Sequence, residues 1–100
     1  MSILTIFYQI VCGDEILVDN DEILVDNKTR LSELKEFICD SYERLMPYHI
    51  KAIIRDEFNT KFKTGDDRKT LKSLNLRDND AITIVLFTEW LEEYNNDNET

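Results

Sequence analysis

One histidine, two cysteines and a crowd of carboxylates are the side chains in this sequence whose types could do chemistry. His49 follows Pro47 and Tyr48 and has no second histidine to share a metal or a proton with. No serine or cysteine stands in a nucleophile-elbow sequence. Cys12 and Cys39 lack the close spacing of zinc ligands and have no second pair, so they read as buried free thiols. A general acid and base need carboxyls in opposed environments. Here Asp14, Glu15, Asp19, Asp21, Glu22 and Asp26 share one polar run, which reads as a solvated acidic edge. DNDE at 19–22 gathers oxygens that suit calcium, but it has neither the spaced ligands nor the turn glycine of an EF-hand loop. No catalysis, no metal and no cofactor is the expectation.

That run is also the chain's one repeat. Asp14, Glu15, Ile16, Leu17, Val18, Asp19 and Asn20 recur unchanged as Asp21, Glu22, Ile23, Leu24, Val25, Asp26 and Asn27. Perfect identity points to a recent tandem duplication or to engineering, because copies under different constraints drift apart. Seven is odd and a strand repeats its facing every two residues. In one continuous strand, Ile16 and Val18 would face one way and Ile23 and Val25 the other. Two registers therefore compete for one strand position. The expectation is that one EILV pairs with the N-terminal strand while the other forms a loop, bulge or edge segment around Asn20 and Asp21.

With 100 residues, 42% of them hydrophobic, the chain suits one domain. A net charge of -9 disfavours tracking of nucleic-acid phosphates and binding to an anionic membrane, since both need Lys and Arg. Basic protein surfaces remain as partners. The opening residues lack the order of a secretory signal, and no apolar run approaches the roughly 18 residues of a membrane span. A soluble intracellular protein, cytoplasmic or nuclear, is expected.

The elements that must position these residues follow from periodicity. ILTIFYQIVC alternates, with Leu4, Ile6, Tyr8 and Ile10 on one face and Ile3, Thr5, Phe7, Gln9 and Val11 on the other. Gly13 supplies the turn into a second strand. Leu31, Leu34, Ile38, Tyr42 and Leu45 recur at helical spacing across LSELKEFICDSYERL, about four turns capped by Asn27 or Thr29 and ended by Pro47. HIKAIIR alternates again, with Ile50, Ala52 and Ile54 facing one way and Lys51, Ile53 and Arg55 the other. DEFNTKFKTGDDRK holds a short return strand, TLKSLNL a helical or 3₁₀ turn, and AITIVLF a closing strand with Ile82, Ile84 and Leu86 inward. Residues 1–88 form the domain; 89–100 form a short amphipathic turn with Trp90, Leu91 and Tyr94, then a flexible acidic tail.

TLKSLNLRDNDAITIVLF resembles the closing third of ubiquitin and ubiquitin-like domains: Thr70 and Leu71, then Leu74, Asn75 and Leu76, a polar turn, and the strand to Leu86. RLSELKEFI is similar to the family helix opening. The resemblance spans roughly residues 3–87 and implies an α+β ubiquitin-like β-grasp, a mixed four- to five-stranded sheet packed on one main helix. Conjugated modifiers end in a Gly-Gly pair, whereas Gly13 and Gly65 are internal, so the resemblance implies a non-conjugated domain.

In such domains the outer sheet face commonly carries an apolar patch that receives partner helices. Val85 and Thr83 match that patch on the last strand, Ile53 matches its central isoleucine, Lys51 and Arg55 flank it, and Phe7 and Phe87 extend it. The implied function is a protein-interaction module or complex subunit with an apolar spot rimmed by positive charge. A second reading has the chain cover this face itself, through Trp90, Tyr94 or the extra EILV. A third, from a different class, is a small acidic inhibitor whose clustered carboxylates mimic nucleic-acid phosphates on a basic partner.

Overall fold

A computed structural model describes residues 2–98, with side chains up to residue 93. Strand β1 (Ile3–Cys12) turns at Gly13, whose φ of +60° favours glycine, into β2 (Glu15–Asp26). Helix α1 (Leu31–Cys39) follows, then a 3₁₀ turn at Pro47–His49, β3 (Ile50–Arg55), β4 (Thr60–Lys61), a second 3₁₀ turn at Thr64–Arg68, β5 (Asp80–Leu86) and helix α2 (Glu89–Asn98). The sheet order is β2-β1-β5-β3-β4, with β1 and β5 parallel and the other neighbours antiparallel. A mixed five-stranded sheet with one main helix is the expected α+β β-grasp. No helix among the described residues is long and apolar enough to cross a membrane.

The core lies between the sheet and α1. From the sheet come Ile6, Ile10, Ile82, Ile84 and Leu86, and from α1 Leu31, Leu34 and Ile38, all essentially without solvent contact. Each such side chain contributes about 1.5–3 kcal/mol through burial. Leu71 and Leu76 close one end of the core, from the turn after Thr70.

Helix α1 is shorter than its apolar spacing predicts. It stops at Cys39, and the chain continues in tighter turns, with the Ser41 and Tyr42 amides donating to the Ile38 and Cys39 carbonyls. Tyr42 and Leu45 still reach the core, so the periodic pattern survives the end of the helix. Neither Asn27 nor Thr29 caps it. Their carbonyls instead accept from Lys72 and Leu71, and the start is closed by the Arg30 amide donating to Glu33 Oε1 at 3.1 Å.

The repeat also departs from expectation, because both copies pair with β1 in a single strand. Ile23 stands opposite Ile6 and Val25 opposite Leu4, while Val18 stands opposite Ile10 and Ile16 opposite Val11. Two bulges make this possible. Asp19 and Asn20 together face Gln9, and Leu17 is an extra residue between Val18 and Ile16. The first bulge restores parity, so Val18 and Val25 both turn inward; the second reverses it again, leaving Ile16 outside. Identical residues thus meet different fates: Leu17 packs on the core and Leu24 is exposed, while Ile23 packs and Ile16 is exposed.

The C-terminal segment is helical through Asn98 rather than one turn. Trp90 and Leu91 pack on the core's end, and Trp90 Nε1 donates to the Arg44 carbonyl at 3.0 Å. The flexible tail expected there ends outside the described residues.

Candidate functional site: the outer face of the sheet

The face turned away from α1 is built by the outward residues of four strands. Pairing aligns Ile16 with Val11, Val11 with Val85, and Val85 with Ala52, which places an apolar row across β2, β1, β5 and β3. Ile16 is 60% exposed, and Phe87, just past β5, is 44% exposed. Val11, Val85 and Ala52 are half-buried. The adjacent row is polar: Gln9 Nε2 donates to Thr83 Oγ1 at 2.9 Å, and Thr83 Oγ1 donates to Asp56 Oδ1 at 2.7 Å. Beyond it Phe7 lies between Glu22 and Ala81.

Seven sequence-derived positions need comment. Phe7, Thr83, Val85 and Phe87 share the outer face as expected. Ile53 does not: it is 2% exposed and sits in the core beside Ile84. The cause is a bulge at Lys51, since Ile50 opposes Leu86 but Ala52 opposes Val85. One extra residue inverts every side chain after it, so Ala52 and Ile54 face outward and Ile53 and Arg55 inward. Ala52 occupies the place beside Val85 that the resemblance assigned to isoleucine.

Arg55 is therefore a structural residue and not part of a positive rim. It is buried, donating through Nη1 to the Leu74 carbonyl at 3.2 Å and through Nη2 to the Asn75 carbonyl at 2.6 Å and Asp80 Oδ2 at 2.9 Å. Its guanidinium lies 4.9 Å from the Phe58 ring centre. The buried Arg55 Nε has no partner among the described residues. Lys51, bulged and exposed, leaves the β3 pattern, whereas Lys61 stands opposite Ile54 at the far edge of the face.

Trp90 does not cover this face. It shares the opposite side of the sheet with Leu17, Val18, Leu45 and Leu86. The Tyr94 side chain lies outside those described. The extra EILV widens the face through Ile16 rather than folding over it.

A second polar constellation lies on the helix side. The Tyr8 and Tyr42 hydroxyls share a hydrogen bond at 2.9 Å, and both lie within reach of the acceptor Asp21 Oδ2, at 3.3 and 3.1 Å. Burial, then the neighbouring Tyr42, pushes the Tyr8 pKa far up, and burial also raises that of Tyr42. The Glu22 amide, followed by the Tyr42 hydroxyl, lowers that of Asp21. These shifts move all three away from neutral pH, the reverse of what proton transfer requires. The group acts as a clip between β1, β2 and the chain after α1. Cys12 and Cys39 are buried and unbridged, and burial raises both thiols. Among the described residues no cluster of three or more metal-binding side chains occurs.

No family model matches this sequence, and no curated protein matches it. Solved structures do. The chain is similar to the ubiquitin of Caldiarchaeum subterraneum, with a TM-score of 0.65 and 18% identity over 85% of this chain and 94% of that one. It is similar to the ubiquitin-like domain of Plasmodium falciparum Dsk2, with a TM-score of 0.63 and 13% identity over 85% and 99%. A third is the C-terminal ubiquitin-like domain of mouse tubulin-specific chaperone e, at 0.60 and 9% over 86% and 90%.

Proposed function

We propose that this chain, which has the ubiquitin-like β-grasp fold, is a non-catalytic, non-conjugated protein-interaction module or complex subunit that docks a protein on the outer face of its sheet. The observation that carries the reading is the row Ile16, Val11, Val85 and Ala52, continuous over four strands and extended by Phe87. A contiguous apolar strip beside a hydrogen-bonded polar row has the composition of an interface core and its rim. Gly13 is committed to a hairpin and Gly65 to a 3₁₀ turn, which supports a domain that is not conjugated through them. The two buried free thiols suit a reducing, intracellular compartment.

The phosphate-mimic reading draws less support from the same strand. Asp21 turns to the helix side and Glu22 stands opposite Phe7, so the carboxylates of β2 are divided between two faces instead of forming one row.

The test is co-purification of the untagged protein from its native cell, with the retained proteins identified by mass spectrometry. Retention should survive moderate salt and disappear with Val85→Asp. Loss in salt with no response to that substitution would favour the acidic mimic.

A further inference from the structure

The partner's chemistry can be taken one step further, on the premise that the outer face is the docking surface. Beside the apolar row, the bulge between the two repeat copies adds Asp19 and Asn20 opposite Gln9. A pocket of about 210 Å³ opens there, lined by Phe7, Gln9, Asp19, Asn20, Asp56 and Ala81. Its polar groups are mostly acceptors. Gln9 commits its Nε2 to Thr83, which leaves its side-chain carbonyl; Asp56 accepts from Thr83 through Oδ1, which leaves Oδ2. Asp19 brings a further carboxylate, and no cationic side chain lines the pocket. Among the described residues, Asp19, Glu22 and Asp56 make no ion pair. Lys61 stands farther out on β4, opposite Ile54, while Asp19 and Glu22 belong to β2 and Asp56 directly follows the end of β3.

We infer that this pocket receives an arginine side chain of the partner, whose apolar residues lie along the Ile16, Val11, Val85 and Ala52 row. Charge complementarity selects a cation. The planar guanidinium suits these acceptors better than a lysine ammonium, because its forked donors can be shared among several oxygens while its face can meet an aromatic ring such as Phe7. The repeat gains a role in this account: the odd seven-residue period requires a bulge between the copies, and that bulge builds one wall of the pocket.

The experiment titrates the isotope-labelled full chain, followed by amide chemical shifts, with a short acetylated helical peptide carrying a leucine stripe and one central arginine. A twin peptide carries citrulline, which keeps the shape and removes the charge. The arginine peptide should shift the amides of Phe7, Gln9, Asp19, Asn20, Asp56 and Ala81 together with those of Val11 and Val85. Citrulline, Asp19→Asn and Asp56→Asn should each weaken binding by roughly 5- to 10-fold, as expected for loss of a charge-assisted contact that is only half buried. Equal affinity of the two peptides, with shifts at Val11 and Val85, would overturn the arginine pocket and leave the docking face standing. Shifts at the pocket with none along the row would overturn the docking face instead. No shift on this face with either peptide would overturn both.

Discussion

The hydroxyl oxygens of Tyr8 and Tyr42 lie 2.9 Å apart, their rings crossing at 87°. One belongs to β1 and the other to the chain after α1, and Asp21 ties both to the first residue of the second repeat copy. Its twin, Asp14, sits in the hairpin turn. The clip therefore marks which copy stands where, and it fixes the register in which the bulge falls at Asp19 and Asn20.

The pH dependence of stability should show this group at the alkaline end. Burial raises the Tyr8 and Tyr42 hydroxyls, and burial together with Asp40 raises Cys39 to about 11. A group with a raised folded pKa stays protonated in the native state while the unfolded chain ionises. Its stabilisation is thus complete below the unfolded value and is lost above it, from about pH 8.5 for a thiol and about pH 10 for a phenol. The melting temperature should fall as pH rises through about 8.5 to 11, with a shallower slope for Cys39→Ala below about pH 10. A flat profile would contradict the assignment. Asp21 works in the opposite sense, since its lowered pKa adds stability above the ordinary carboxylate range that is lost as pH falls.

Neighbouring isoleucines on β3 should behave as opposites. Ile53→Ala removes a fully enclosed side chain and should cost about 2–4 kcal/mol in urea unfolding, whereas the half-buried outward Ile54→Ala should cost less than about 1 kcal/mol. Equal costs would mean that the bulge at Lys51 is misplaced.

Arg55→Ala should destabilise by about 3 kcal/mol, because it strands the Leu74 and Asn75 carbonyls and the Asp80 carboxylate in a largely buried setting. Calorimetry reads this directly. A change within about 0.5 kcal/mol, the ordinary range for surface substitutions, would assign Arg55 to the surface.

These contrasts also explain what could be read in the sequence. Strands β1 and β5 were legible because their alternation runs unbroken from Leu4 to Cys12 and from Ile82 to Leu86. The closing turn and strand carried the family resemblance and placed Thr83 and Val85 on the outer face. Alternation alone turns Ile53 and Arg55 outward because HIKAIIR alternates plausibly in either phase; only the pairing with β5 reveals the extra residue at Lys51. The odd period of the repeat signalled a bulge, yet two bulges let both copies pair, and that choice depends on what Ile10 and Val11 meet across the strand. The apolar spacing extends past the end of helix α1 because Tyr42 and Leu45 keep helical spacing while reaching the core from turns.

Deleting residues 21–27 should leave a folded domain, since the remaining copy can place Val18 where Val25 stood and Ile16 where Ile23 stood. The deletion frees Ile10 to Cys12 from their strand partner and vacates the core sites that Leu17 and Val18 now fill, at a cost of about 2 kcal/mol. Urea denaturation of the two forms measures it. A shortened protein of equal or greater stability would show that the first copy adds nothing to the core.

The central claim is that the outer sheet face is the docking surface. Its most direct test is to titrate the co-purified partner into the isotope-labelled protein and map the amide shifts. The account predicts shifts centred on Val11, Ala52, Val85 and Phe87 that vanish with Val85→Asp while the fold persists. Shifts confined to the solvent side of α1, around Glu33, Glu36 and Phe37, would contradict it.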